Sequence, residues 1–213
     1  MTFINTYTSY SLHPLCDDLA RSDARLQGII DLYGYPPLWI RPNTYETLVL
    51  TILEQQVSLA SAFAAYKKLK EQIDPVTPQK LLALSDETLR ACYLTRQKMA
   101  YTRILAEAIL SKEIDLEAMA LEEDDAVREK LIRLKGIGNW TIDIYLLHAL
   151  QRTDIFPLGD LALLNAVRMV FNNPSLTKEE ISRLGEAWKP YRSIATMLFW
   201  HYYIQKKNIK LLH

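Results

Sequence analysis

The sequence predicts an all-α protein, and three observations carry that expectation. Apolar residues recur at helical intervals along most of the chain, most cleanly at Leu163, Ala166, Val167, Val170 and Phe171. No segment shows the sustained valine, isoleucine and threonine alternation of a half-buried strand, and there is no glycine-rich phosphate loop or internal repeat. Helix-capping side chains and prolines punctuate the sequence at short intervals, so the helices should be short and closely spaced.

In order, Asp17 to Leu32 is expected to form one helix with Leu19, Leu26, Ile29 and Ile30 inward, stopped by Gly34, Pro36 and Pro37. Pro36 to Pro42 must be largely extended. Asn43 and Glu46 have the spacing of a capping box, and Tyr45, Leu48, Val49, Ile52, Leu53 and Gln56 follow on one face. That stripe ends abruptly in the amides of Gln55-Gln56-Val57-Ser58, which read either as polar helix capping or as a loop that reaches outward. A helix from Leu59 to Ile73, with Ala60, Phe63, Ala64 and Leu69 inward, stops before Asp74-Pro75. Thr77-Pro78 and Ser85 open two further helices as N-caps. Tyr101, Ile104, Leu105 and Ile109 form the buried stripe of the next, and Ala126 to Leu134 leads into a turn. Beyond Asp160, Asn172-Asn173-Pro174 ends one helix and Thr177 with Glu180 caps another. The terminal helix is expected from about Pro190 to Ile204, with Trp39 and Trp188 in the core.

The stretch Leu134-Lys135-Gly136-Ile137-Gly138-Asn139-Trp140-Thr141 is the most informative. Two glycines one residue apart, between apolar helical runs, read as two helices joined by a very tight turn. Glycine suits such a turn because it tolerates positive φ and admits close approach of another backbone. The second helix then begins with unpaired amides and a dipole that favours a negative group, for which a phosphate is the natural occupant. The spacing alone also fits an ordinary interhelical turn. About twenty residues beyond Trp140 comes Phe156-Pro157-Leu158-Gly159-Asp160, directly before another amphipathic run.

With these motifs in this order, and with Ile52-Leu53-Glu54-Gln55-Gln56-Val57-Ser58 and Trp188-Lys189-Pro190-Tyr191-Arg192-Ser193, the chain resembles the helix-hairpin-helix/Gly-Pro-Asp superfamily of DNA glycosylases. Within that superfamily it is most similar to the 3-methyladenine DNA glycosylase II family. The likeness runs from about Pro36 to Tyr203, with departures: Pro157 precedes Gly159 and does not separate it from Asp160, and Lys135 stands where the family usually has proline. The resemblance implies two helical lobes with an active-site cleft between them. A central lobe over residues 44–150 would include the hairpin at 131–147, and residues 1–43 with 151–213 would form the second. No N-terminal α/β lobe is expected, since too little chain precedes Pro36 to hold one.

The implied activity is monofunctional excision of alkylated purines of the 3-methyladenine type from duplex DNA, as a step of base excision repair. Breaking an N-glycosidic bond spreads positive charge over the sugar, so the site needs a fixed negative charge and a place for the departing base. Asp160 is the candidate carboxylate; by itself the residue reads first as a helix N-cap, and the hairpin upstream with the family likeness reverses that preference. The resemblance puts Trp140 and Trp200 around the flipped base, with Tyr145 as a further candidate one residue beyond the position, here Ile144, where some relatives have a pocket tyrosine; cationic purines stack well on aromatic faces. It puts Gln56 in the gap left by that base. Ser58, Arg96, Lys98, Gly136, Gly138, Asn139, Thr141 and Arg192 would lie on DNA. Main-chain oxygens of Ile132, Leu134 and Ile137 would hold a structural sodium or potassium ion. Relatives that also cut the strand have a lysine two residues after the second hairpin glycine, where this chain has Trp140. A glycosylase for another lesion, and a non-catalytic helix-hairpin-helix module, are the competing readings; only an enzyme has a use for a carboxylate facing the DNA backbone.

Composition is compatible with this. Lysine plus arginine and aspartate plus glutamate both number 25, so the formal charge is zero. The charges are segregated, however. Arg90, Arg96, Lys98 and Arg103 form one run without acids and Lys189, Arg192, Lys206, Lys207 and Lys210 another, while acids crowd at Glu122 to Asp125 and at Glu179-Glu180. That pattern permits a basic face, although each run by itself also fits a solvated helix surface. Cys16 and Cys92 are too few for an iron-sulfur cluster or a cysteine zinc site, and the chemistry needs no cofactor. No apolar segment has transmembrane length and Met1 to Tyr7 lacks a signal-peptide pattern, so a cytoplasmic monomer, nuclear in a eukaryote, is expected to act on double-stranded DNA without a membrane.

Overall fold

The computed structural model describes residues 5–209; Met1 to Ile4 and Lys210, both used above, lie outside them. The described residues contain no sheet, and their one isolated β-type pairing joins Thr6 to Arg152. The all-α expectation is borne out. The helices are α1 (Leu12–Ser22), α2 (Ala24–Tyr33), α3 (Tyr45–Glu54), α4 (Leu59–Gln72), α5 (Pro78–Leu82), α6 (Asp86–Ala91) and α7 (Arg96–Leu110). They continue as α8 (Leu116–Ala120), α9 (Asp124–Leu131), α10 (Asn139–His148), α11 (Leu161–Val170), α12 (Lys178–Gly185) and α13 (Arg192–Lys206), with a 3-10 turn at Glu186–Trp188. Among the described residues no helix is long and apolar enough to cross a membrane.

The chain divides into two compact units. Among the described residues the first comprises Arg41–Tyr145, and the second joins Asn5–Ile40 to residues 146–209. In the first, α3 is apolar on nearly every side and is accordingly buried, packed on α4 and α7. In the second, α13 is buried continuously from Ser193 to His201 and packs on α1, α2 and α11. Trp188 is a core residue there, its indole donating to Asp23 Oδ2 at 3.1 Å. Trp39 is only half-buried, because part of its ring lies against Trp200 at the edge of that core.

Several expected element ends hold. Thr177 and Glu180 form a reciprocal capping box, and Thr77 and Ser85 cap α5 and α6. Others are corrected. Asp17 to Leu32 is not one helix: Asp23 takes an extended conformation and its carboxylate accepts from the amide of Arg25, ending α1 and starting α2. The cap of α3 is Thr44, not Asn43, and Glu46 does not reach back to it. Glu46 instead accepts from the amide of Val76 and pairs with Lys70, while Asn43 donates to Leu116 O. In α4 the inward residues are Ala62, Ala65 and Leu69, with Ala60 and Ala64 exposed and Phe63 half-buried. Alanines on several sides of that helix carry too little apolar contrast to fix its rotation from sequence.

Candidate functional site

In the first unit α9 turns sharply into α10. The amide of Leu134 donates to Leu131 O at 3.1 Å, that of Ile137 to Leu134 O at 3.0 Å and that of Ile142 to Gly138 O at 3.1 Å. An ion pair from Arg128 to Asp143 ties the two helices together beside the turn. Gly136 has φ of +96°, and a Cβ there would stand 2.0 Å from Cγ of the Tyr101 ring, so both conformation and packing require glycine. Gly138, expected from the sequence to share that duty, does not: its φ is not left-handed and a Cβ would meet nothing within 4 Å. Gly138 and Asn139 are exposed at the start of α10. Thr141, in contrast, is buried.

The loop after α3 is fastened to this turn. Gln55 Nε2 donates to Gly136 O at 2.8 Å and to Thr141 Oγ1 at 2.9 Å. Its neighbour Gln56 has φ of +56° and is exposed, as are Val57, Ser58 and Leu59. The Ser58 hydroxyl accepts from the amide of Ser61 and so caps α4. Lys98 turns inward: Nζ donates to Leu53 O at 2.6 Å, and desolvation by burial pushes its pKa down. Arg96, on the first turn of α7, is exposed. The first turns of α7 therefore carry the Gln55-Gln56 loop through Lys98 and the hairpin turn through Tyr101. Arg41 braces the C-terminal end of α3 with a two-pronged contact to Glu54, at 2.9 and 2.6 Å.

The second unit presents a carboxylate. The amide of Leu158 donates to Phe156 O and that of Asp160 to Pro157 O, both at 2.8 Å, which folds the segment tightly before α11. Asp160 caps α11: its Oδ1 accepts from the Leu163 amide at 2.8 Å and from Trp200 Nε1 at 3.0 Å. Two donors on one oxygen fix the orientation of the group. The Trp200 ring is stacked on His148, with centroids 5.5 Å apart and planes 16° apart, and meets Trp39 edge-on at 6.4 Å. A carboxylate held this way can stabilise developing positive charge or orient a water, and it is also a satisfied helix cap.

The residues named from sequence thus fall into several groups. Gln56, Ser58, Arg96, Gly136, Gly138 and Asn139 lie on the first unit around α7 and the hairpin, whereas Asp160 and Trp200 are together in the second. Trp140 is half-buried in the first unit. Tyr145 has no exposed surface, and its hydroxyl donates to Asn43 Oδ1 at 2.6 Å, so it packs inside the first unit. The Arg192 guanidinium is chelated by Asp154, with Nε to Oδ1 at 2.7 Å and Nη2 to Oδ2 at 2.9 Å. The side chains of Lys98, Thr141 and Arg192 are accordingly engaged within the protein. Sequence reasoning missed Gln55, His148 and Trp39 as members of these arrangements. Gln55 carried a signal, an amide directly after an apolar stripe, but nothing separated it from Gln56.

Residues 49–190 match the family described as HhH-GPD superfamily base excision DNA repair protein. The chain is 30% identical to the putative DNA-3-methyladenine glycosylase YfjP of Bacillus subtilis, over 84% of this chain and 66% of that protein. It is 33% identical to the alkylbase DNA glycosidase-like protein mag2 of Schizosaccharomyces pombe, over 73% of this chain and 76% of that one. The fold is similar to that of the Schizosaccharomyces pombe 3-methyladenine DNA glycosylase Mag1 in complex with abasic DNA. That likeness has a TM-score of 0.83 at 25% identity and covers 94% of this chain and all of that one. A DNA-3-methyladenine glycosidase from Bacillus halodurans gives a TM-score of 0.78 at 29% identity, covering 92% of each chain.

Proposed function

The chain belongs to the HhH-GPD superfamily of base excision DNA repair proteins, and from that premise we propose that it is a monofunctional DNA glycosylase that excises alkylated purines of the 3-methyladenine type from duplex DNA. The observation that carries this reading is Asp160, a carboxylate oriented at once by the Leu163 amide and by the Trp200 indole.

In the proposed reaction the damaged nucleotide leaves the stack, at a cost lowered by its weakened pairing. The C1′–N bond then breaks and its electron pair departs with the base. A purine alkylated on a ring nitrogen is already cationic, so it leaves without a general acid. Asp160 stabilises the positive charge that develops on the sugar and orients the water whose oxygen bonds to C1′. The proton released by that water passes to solvent or to the carboxylate. Trp200, beside Asp160, supplies aromatic surface for the base. No amine stands two residues beyond Gly138, so the sugar is not attacked by the protein and the strand is left intact.

Gln56, Arg96 and the hairpin of Gly136, Gly138 and Asn139 are proposed as the DNA-binding elements. A monovalent cation at the hairpin would be held by the carbonyls of Ile132, Leu134 and Ile137, and would supply positive charge there for a phosphate. The turn fits it: Leu134 O takes one hydrogen bond, from Ile137, while among the described residues the other two carbonyls accept none from the turn backbone. The test is incubation with duplexes each carrying one defined lesion, followed by alkali to reveal abasic sites. Cleavage at 3-methyladenine or 7-methylguanine is expected; a protein that binds these duplexes but yields no abasic site from any lesion is the non-catalytic module instead.

A further inference from the structure

We infer that His148 is a positioning residue: by stacking on the Trp200 indole it keeps Trp200 Nε1–H aimed at Asp160 Oδ1. The inference rests on Asp160 being the carboxylate of the proposed reaction.

His148 is the last residue of α10 and follows the fully buried Leu146 and Leu147. It is itself 8% exposed, a position where an aliphatic or phenyl side chain would satisfy burial without needing a polar partner. The imidazole has one. Its Nδ1 lies 2.7 Å from Trp39 O, and since a carbonyl only accepts, Nδ1 carries the hydrogen. That bond fixes the plane of the ring. The plane is nearly parallel to the Trp200 indole, and Trp39 itself meets the same indole edge-on. Trp39 thus contributes its carbonyl to His148 and its ring to Trp200, closing a set of three side chains in which each restrains the other two.

The indole so held has one polar atom, and that atom donates to Asp160 at 3.0 Å. A rotation of the ring by a few tens of degrees would move Nε1 by an ångström or more and take the contact beyond hydrogen-bond length. Asp160 would then keep the Leu163 amide but lose one of the donors that fix the orientation of its Oδ1. A displacement of that size is enough to change a rate while leaving binding intact.

The test reads the contact before it reads the rate. In ¹⁵N-labelled free protein, the Trp200 Nε1–H resonance, assigned through Trp200→Phe, should be shifted downfield and slow to exchange. His148→Ala should move it upfield and speed its exchange at least tenfold. In single-turnover excision the same variant should lose about tenfold in rate with the Kd for lesion DNA unchanged. His148→Phe, which restores a stacking ring without the hydrogen bond to Trp39 and guards against misfolding of the alanine variant, should recover part of both. An unmoved Trp200 signal in His148→Ala overturns the inference, and so does a phenylalanine variant no better than alanine. Wild-type protein that releases no base would remove the proposed function instead, because the resonance is measured without DNA.

Discussion

The side-chain amide of Gln55 donates to the main-chain carbonyl of Gly136 at 2.8 Å, joining the loop after α3 to the turn between α9 and α10. Its second hydrogen bond goes to Thr141, so one residue fastens the loop that carries Gln56 to both sides of the hairpin. Gln55→Leu leaves a carbonyl and a hydroxyl without that donor. We expect it to destabilise the first unit by about 1–3 kcal/mol, the cost of an unsatisfied buried polar group. Urea denaturation measures this, and a shift below about 0.5 kcal/mol would mean that water replaces the amide without loss.

The two hairpin glycines should separate stability from binding. Gly136→Ala must accept a left-handed φ, at about 1–2 kcal/mol, and displace the Tyr101 ring as well. Its melting temperature should fall by several degrees. Gly138→Ala has open space within the protein and should melt like wild type. If a phosphate approaches there, as proposed, the added methyl group should still weaken duplex affinity about tenfold in fluorescence anisotropy. Equal affinity would place the DNA backbone elsewhere.

Much of this arrangement was legible in the sequence, and what was not has a physical reason. Capping chemistry is local, so Thr77, Ser85 and the Thr177–Glu180 box could be found from their spacing. The cap of α3 was missed because Asn43 and Thr44 are both good cap residues, and the choice depended on Leu116 and Tyr145, which are distant in sequence. The same holds at the candidate site. Asp160 stood out by its place before an amphipathic run, but its partner Trp200 lies 40 residues away. Arg192 and Lys98 looked like surface cations in a basic run. Each is instead claimed by an acceptor, Asp154 or Leu53 O, that charge patterning cannot reveal.

Asp160→Asn tests the chemistry with little disturbance of the fold, because asparagine caps helices as well as aspartate does and can still accept from Leu163. Base release should fall at least 100-fold, about 2.7 kcal/mol of transition-state stabilisation, with affinity for lesion DNA nearly unchanged. Single-turnover rates decide it. A variant retaining more than about a tenth of the rate, a loss under about 1.4 kcal/mol, would show that Asp160 only caps α11.

Borohydride should trap no covalent complex. Trp140 stands where strand-cutting relatives have their lysine, and an indole cannot form a Schiff base with the sugar. Abasic strands should therefore remain intact until alkali is added. An adduct that accumulates at the rate of base release would require an amine from elsewhere in the chain and would end the monofunctional assignment.

Gln56 should control extrusion of the base and leave the bond-breaking step alone. It lies just past the end of α3, a helix anchored by its buried face and by the Arg41–Glu54 contact, and the loop is held further by Lys98 and Gln55. On that fixed base Gln56 takes a left-handed φ, which costs a residue other than glycine about 1–2 kcal/mol, and its side chain is exposed, as are those of Val57 to Leu59 after it. A side chain held in that conformation and left in solvent suits insertion into a duplex, where it would recover part of the few kcal/mol spent on unstacking. Gln56→Ala should slow excision from a well-paired duplex about tenfold or more, yet slow it little on single-stranded or mismatched DNA, where extrusion costs less. Gln56→Gly separates the two contributions, since it relieves the backbone cost and so should stabilise the protein slightly while showing the same duplex defect. Equal losses on paired and unpaired substrates would remove the insertion role from Gln56 and direct attention to the exposed Val57 beside it.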